Sequence, residues 1–286
     1  MALDYSKMID AGFAFAGNRR RLSIQFVYSA IAITLLLSPL LLIMPLVKQF
    51  MEVYAATGSF AVAMSSMAPA AAIAAAAGAV LLFLAVAFLL WLACIFVHAF
   101  FAHNALTNSS FKQSIDAAKK KYLSVLLATI FIAFVGMAQA IILTPMKSIP
   151  VAGAFFAVID FFVSIFFSLA FFFTVYAIMA KDSDAFKGIS DGFNTFRQNP
   201  LETLASLVAI TAVCLVITGI SVIPVIAAAI AWVATGFSTS NVLLAVVAFA
   251  AALAILGFSY AQLYNVGAVA NAFNQLNKRV AKKRGK

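Results

Sequence analysis

The residues with the clearest chemical potential lie inside one long apolar stretch. Asp160 is the only acidic residue well inside a predicted membrane span, and an ionisable group at that depth is a candidate functional residue. Ser164 and Ser168 follow at steps of four, so the three side chains share one helical face. This polar intramembrane stripe suits proton or cation coupling in a transporter. The alternative is a packing stripe with Asp160 protonated or hydrogen-bonded, which is favoured because no basic partner is expected at the same depth.

Six more polar or aromatic residues lie at the predicted cytoplasmic ends of the even-numbered spans. They would line an inward-facing cavity, or they would form the belt that aromatic residues commonly form at a membrane surface. No carboxylate or cysteine stands at ligand spacing from the histidine among them, so neither a metal site nor a cofactor is predicted. Nucleophile motifs, phosphate-binding glycine loops and paired catalytic carboxylates are also missing from the sequence, so no catalytic residue is predicted. The six residues are His98, Tyr176, Tyr260, Gln262, Tyr264 and Asn265.

Composition indicates what kind of fold positions these residues. The chain has 286 residues, of which 65% are hydrophobic and 10% charged, and its mean hydropathy is +1.08. A soluble core of this size cannot hide so much apolar surface. We therefore expect an all-α integral membrane protein. Cys94 and Cys214 both lie in apolar runs, which favours packing roles over a disulfide or a metal site.

Six long apolar runs predict six transmembrane helices in a single membrane domain, residues 1–286. The basic cluster before the first run resembles the start of a signal peptide, but the run is too long for one, so we expect an uncleaved first span. The expected spans are 22–47, 70–101, 122–143, 151–180, 200–233 and 241–272, followed by a basic tail, 273–286.

Short amphipathic helices are predicted before spans one, three and five. The first covers 3–21. The second opens at Ser110, which has Gln113 three residues later, the spacing of a capping box. The third lies within 180–200, where the predicted apolar face carries phenylalanine and isoleucine at steps of three and four. Its members are Phe186, Ile189, Phe193 and Phe196. We expect all three helices to lie in the cytoplasmic headgroup layer.

The distribution of basic residues predicts the orientation. All of them except Lys48 and Lys147 fall on one side of the six-span arrangement, and the positive-inside rule assigns that side to the cytoplasm. Both termini are then cytoplasmic, and the expected location is the plasma membrane. Topology alone accounts for the net charge of +10, so no nucleic-acid partner is predicted. Contact with anionic headgroups is expected at Arg19, Arg20, Arg21, Lys119, Lys120 and Lys121.

A weak internal repeat suggests how the spans pair. An apolar, an acidic and a small residue recur before spans one, three and five, around Asp10, Asp116 and Asp191. The even-numbered spans also end in similar ways. We therefore expect three helical hairpins, formed by spans one with two, three with four and five with six.

The segment from Ala177 to Leu204 carries a family resemblance. Its Ala185-Phe186-Lys187, Ser190 and Phe196-Arg197-Gln198-Asn199-Pro200, followed by an apolar span, resemble the inter-helix segment of six-span proteins related to the membrane domain of glycerophosphodiester phosphodiesterases. The resemblance implies a fold and not an activity, because the soluble catalytic barrel of those enzymes has no counterpart in these 286 residues. The proline expected late in span four is also missing.

Three functions are consistent with these features. The favoured one is a non-enzymatic membrane protein that organises lipid, or a partner subunit in the membrane, at the cytoplasmic face. A small-molecule transporter with Asp160 as the proton or cation coupling group is the first alternative. An enzyme acting on lipid is the second. Substrate, partner and oligomeric state do not follow from the sequence.

Overall fold

The fold consists of α-helices throughout the residues that the computed structural model describes, which are 3–66, 69–150, 152–235 and 240–284. The all-α class predicted from composition is confirmed. The helices are α1 Tyr5–Ala16, α2 Arg19–Leu37, α3 Leu40–Thr57, α4 Phe60–Ser66, α5 Pro69–Thr107, α6 Phe111–Lys147, α7 Ala152–Phe171, α8 Thr174–Lys181, α9 Ala185–Gln198, α10 Pro200–Ala234 and α11 Asn241–Arg284.

Within the described ranges, seven helical segments are long and apolar enough to cross a membrane. This supports a helical membrane protein, but the predicted count of six spans is not confirmed. The candidate segments are Arg19–Leu37, Leu40–Thr57, Ile73–Thr107, Phe111–Lys147, Ala152–Lys181, Pro200–Ala234 and Asn241–Lys278.

The additional segment arises because the predicted first span, 22–47, is divided. α2 ends at Leu37, and Pro39 lacks the amide hydrogen that a continuing helix would need. The hydroxyl of Ser38 donates to the carbonyl of Leu35 at 2.7 Å and closes the helix end. α3 continues beyond the predicted end of the span at 47 and reaches Thr57.

Two other predicted segments are parts of longer helices, and their predicted positions relative to the membrane stay predictions. The second amphipathic helix and span three form one helix, α6, although the predicted capping box of Ser110 and Gln113 is confirmed at its start. The basic tail predicted over 273–286 is the helical end of α11 as far as Arg284. Residues 285 and 286 lie outside the described residues.

Span four is interrupted without a proline. α7 ends at Phe171 and α8 begins at Thr174. Phe173 is fully buried in this break, and its ring lies 5.7 Å from that of Phe273 on α11. A Cβ added to Gly192 of α9 would come within 3.0 Å of the Thr174 backbone nitrogen. Tertiary packing against α9 and α11 therefore holds the interruption.

The helices form two compact units, Met1–Phe26 with Ile95–Lys286, and Val27–Cys94. In the smaller unit α3 packs on α4, with the rings of Phe50 and Phe60 5.4 Å apart. The Tyr28 hydroxyl donates to the Leu90 carbonyl at 3.4 Å in the same unit. The single membrane domain expected from the sequence stays a prediction.

The core of the larger unit surrounds the second half of α11, which packs against α1 and α10. α6 also packs on α7. The predicted three-hairpin repeat stays a prediction. The fully buried side chains of the α11 segment, with 2% exposure or less, include Leu263, Tyr264, Val269, Phe273 and Leu276.

Glycines bring α1 against α11. A Cβ on Gly12 would lie 2.6 Å from the ring of Tyr264, and one on Gly267 would lie 2.5 Å from the Cβ of Phe15. Gln275 adds polar contacts at the start of α1, because its amide accepts from the Asp4 backbone N–H at 3.0 Å and donates to the Asp4 carbonyl at 3.2 Å. The first amphipathic helix is therefore packed against protein along its Met8, Gly12 and Phe15 face.

α9, predicted as the third amphipathic helix, packs against the protein mainly through small residues, and its position in the headgroup layer stays a prediction. Its buried face is mainly small, with Gly188, Gly192 and Thr195 turned inward, and Phe186 is 74% exposed. Phe196, from the predicted apolar face, is buried. The contact between α9 and α8 requires glycine at position 188, because a Cβ there would overlap the side chain of Ile178.

The α1–α11 contact generates a stability prediction. Gly267→Ala should lower the free energy of unfolding by about 1–3 kcal/mol, because the added methyl group overlaps Phe15. Thermal unfolding of the full chain in detergent measures the effect.

The matched control is Gly219→Ala in α10, where an added Cβ would meet no atom within 4 Å. Alanine favours a helix over glycine, so this variant should be neutral or slightly more stable. Equal losses in the two variants would contradict a close α1–α11 contact.

Candidate functional site

Asp160 lies in a polar cluster at the α6–α7 turn. Its carboxylate contacts the Lys147 ammonium at 2.5 Å and accepts from the Gln139 amide at 2.7 Å. Gln139 also donates to the Ser164 hydroxyl at 2.7 Å. Ser168 is exposed one turn further along α7. The structure therefore joins two members of the predicted stripe through a residue that the sequence analysis missed.

The expectation that Asp160 has no basic partner at its depth is wrong. Lys147 is the last residue of α6, and the short turn after it brings its flexible side chain back along α7. Gly153 permits the tight turn, because a Cβ there would overlap the backbone carbonyl oxygen of Lys147. The ammonium and the Gln139 amide satisfy the carboxylate, so Asp160 is held as part of the hairpin contact.

The six residues expected to line a cavity or to form a belt lie in different environments. Tyr176 and Tyr264 are 3% and 0% exposed, so they are packed in protein. The ring of His98 meets that of Tyr176 edge-on at 5.9 Å. Neither tyrosine hydroxyl has a hydrogen-bond partner among the described residues.

The remaining three of these six are less buried. Gln262 accepts a hydrogen bond from the amide of Gln25 on α2. The ring of Tyr260 lies 6.5 Å from that of Phe13 on α1, and Asn265 is half-buried. The contacts of this group connect α1, α2 and α11 in the larger unit.

Two of the lysines predicted to contact lipid form ion pairs within the protein. The Lys120 ammonium pairs with the Asp182 carboxylate at 3.2 Å, and that of Lys121 does so at 2.7 Å. Lys121 also donates to the carbonyls of Asp182 and Ser183, and its side chain is 14% exposed. These contacts join α6 to the α8–α9 turn. Lys119 is exposed and has no ion pair with a described residue.

The three consecutive arginines behave differently. Arg19, Arg20 and Arg21 form no ion pair within the described part of the chain. The guanidinium of Arg20 lies 4.4 Å from the ring centre of Phe111, and that of Arg21 lies 4.1 Å from that of Phe15. Both contacts are cation–π interactions, which orient the side chains without neutralising their charge.

A network of neutral side chains fixes Arg21 at the α5–α6 turn. Its Nε donates to Asn104 Oδ1 at 2.7 Å, and Nη2 donates to Asn108 Oδ1 at 3.4 Å. Asn104 is 1% exposed, and its own amide donates to the Ser109 carbonyl and the Ser114 hydroxyl. The sequence analysis missed this group. The polar residues on either side of Asn108, between α5 and α6, were the sequence signal that could have indicated this network.

His103 belongs to the same network but lacks the partners of a catalytic base. Its Nδ1 lies 3.2 Å from the Ser109 hydroxyl and 3.4 Å from that of Ser114. The network continues into the neutral amide of Asn104, which cannot supply the carboxylate of a catalytic triad. No group of three or more metal-ligating side chains occurs among the described residues.

Comparisons with known proteins do not assign a family. No protein-family model, curated protein or solved structure shows a significant match to this chain. The resemblance to the membrane domain of glycerophosphodiester phosphodiesterases therefore stays a prediction.

The Asp182 cluster generates a prediction about pH. Hydrogen bonds from Lys121 and Lys120 hold the pKa of the Asp182 carboxyl below its usual 3.8. A carboxyl with a lowered pKa stabilises the fold above its usual pKa and loses that contribution as pH falls through the folded value. We expect Asp182→Asn to lower the thermal unfolding temperature at neutral pH, and the difference from wild type to shrink below about pH 4.

Asp10→Asn serves as the control for this experiment, because Asp10 is exposed and has no ion pair with a described residue. Its unfolding temperature should follow that of the wild type from pH 7 to pH 3. A constant difference between Asp182→Asn and wild type across that range would show that the carboxylate charge is not what stabilises the turn.

Proposed function

We propose that the protein is a non-enzymatic membrane protein that organises lipid, or a membrane partner subunit, at the cytoplasmic face. In this proposal the chain crosses the plasma membrane with both termini in the cytoplasm, and its hairpins place the basic helix ends at the headgroup layer. Anionic headgroups or an acidic partner then provide the counter-charge. The positive-inside distribution of basic residues supports this orientation.

The observation that carries the proposal is that some basic residues form ion pairs within the protein and others do not. Lys120, Lys121 and Lys147 are paired with carboxylates inside the fold. Arg19, Arg20 and Arg21 have no such pairing within the described ranges, although two of them are held in place by aromatic rings. Each basic residue near an anionic membrane surface contributes about 1 kcal/mol of attraction. Ordered cations without an internal counter-ion favour an external anionic partner.

Native mass spectrometry of the protein released from its membrane tests the proposal. We expect retained lipids that are enriched in anionic species relative to the bulk membrane, or a stoichiometric second subunit. Replacing Arg19, Arg20 and Lys119 by glutamine should reduce that retention.

Lys48→Gln is the control, because Lys48 is one of the two basic residues on the opposite predicted side. Retention of zwitterionic and anionic lipids in bulk proportions, with no second subunit, would contradict the proposal. So would an equal loss in the control variant.

A transporter remains a second candidate, and two observations favour it. Span four is interrupted between α7 and α8, a feature of helices that form transport sites. The Lys147–Asp160 ion pair also lies within the candidate membrane segments. For coupling, Asp160 would have to exchange Lys147 for a proton or a cation.

Cysteine labelling separates the two candidates. Single cysteines replace Asp160, Ser164 and Ser168 in a chain lacking Cys94 and Cys214, and a membrane-impermeant thiol reagent is added. Protection at the three positions is expected for a packed hairpin. Labelling at all three would instead indicate a water-filled pathway, and loss of flux in Asp160→Asn would then identify the coupling group.

A further inference from the structure

The geometry points to a built binding site: we propose that Arg20 and Arg21 bind the phosphate of an anionic phospholipid at the α5–α6 turn. This inference rests on the proposed function and assigns its lipid contact to particular residues. The site consists of the two arginines, the rings of Phe15 and Phe111 that support them, and Asn108. We call it the arginine site.

Arg21 is oriented but not neutralised. The two asparagine oxygens use two of its five N–H donors, and both acceptors are uncharged. The Phe15 ring covers one face of the guanidinium plane at 4.1 Å. An arginine held this way retains its charge and free donor groups, and it loses little further side-chain entropy when it binds a ligand.

The anchors of Arg21 are themselves rigid. Asn104 is buried and bonded to Ser109 and Ser114, so its oxygen is fixed toward Arg21. Asn108 has a backbone φ of 49°, in the left-handed region that asparagine tolerates better than most residues. Its place in the break between α5 and α6 puts its side chain within reach of α2. The turn and the arginine therefore support each other.

Arg20 provides the second positive group. It is exposed, and its guanidinium lies over Phe111, the first residue of α6. The N-terminus of α2, which begins at Arg19, lies in the same region and adds the partial positive charge of a helix start. Two arginines with planar donor arrays match the oxygens of one phosphate better than two lysines would.

The position of the arginine site favours a lipid as the source of the phosphate. α2 is a candidate membrane segment that begins at Arg19, so the arginines lie at its end, where a headgroup would be. The half-buried ring of Phe111 beside the Arg20 guanidinium fits the boundary between headgroup and acyl chain. Free inorganic phosphate has the same oxygens but lacks the acyl chains.

The test uses the purified full chain in mixed micelles of an uncharged detergent with phosphatidylglycerol, phosphatidylcholine or neither, and a further sample with sodium phosphate. Binding is followed as the rise in unfolding temperature with lipid concentration. Wild type should respond to phosphatidylglycerol well below the concentration at which it responds to phosphatidylcholine. Arg21→Lys keeps the charge but loses the planar donor array, so we expect about tenfold weaker binding of phosphatidylglycerol.

Arg197→Lys is the matched control, since Arg197 is exposed at the end of α9 and has no ion pair with a described residue. It should bind like the wild type. If Arg21→Lys does not fold, Asn108→Gly replaces it, because glycine preserves the left-handed turn and removes the amide that orients Arg21. That variant should bind phosphatidylglycerol more weakly than wild type.

The outcomes separate this inference from the proposed function. Equal effects of Arg21→Lys and Arg197→Lys, with wild type still selective for phosphatidylglycerol, would overturn the arginine site and leave the proposed function standing. No selectivity in the wild type would overturn the arginine site and the lipid form of the proposed function, leaving only a partner subunit. A rise with sodium phosphate as large as that with phosphatidylglycerol would overturn the assignment to a lipid.

Discussion

The close approach of α1 to α11 is the contact on which the larger unit depends. Small residues let two helices approach closely, so more side-chain atoms come into van der Waals contact. Gly12 and Gly267 allow this packing at two points, against Tyr264 and Phe15. With α1 packed against α11, the Phe15 ring contacts the Phe101 ring and the Arg21 guanidinium. The position of Arg21 therefore depends on the contact between α1 and α11.

The basic residues of this molecule lie in two kinds of surroundings. Some lysines are structural, as at Lys121, whose ammonium binds a carboxylate and two carbonyl oxygens at the end of α8. Such a residue satisfies helix-end carbonyls and has little capacity left for a headgroup. Arg20 and Arg21 instead contact aromatic rings and neutral amides, which orient a cation without cancelling its field. Net charge alone does not separate the two groups.

The helical membrane class could be predicted from composition, and the capping box at Ser110 from local spacing, because both depend on residues near in sequence. The break after Leu37 was detectable from Pro39, although apolar composition on both sides concealed it. The interruption at Phe173 and the partners of Asp160 were not predictable in the same way. They depend on α9 and α11 packing against span four, and on Lys147 folding back across a turn. Contact of Arg21 with anionic headgroups was predicted from the sequence and stays a prediction. Its hydrogen bond to Asn104 was not predictable from local spacing, because it joins residues 83 positions apart.

Cross-linking α1 to α11 tests the central claim most directly. Cysteines replace Phe15 and Gly267 in a chain without Cys94 and Cys214, and a mild oxidant is added to intact membranes. The two Cβ positions lie 2.5 Å apart, so the helices need to separate by only about 1 Å to reach disulfide geometry. The account predicts the linked peptide as the main product by mass spectrometry. Linkage no greater than in a control pair at Phe15 and Gly219 would show that α1 does not dock on α11, and the arginine site would lose its support.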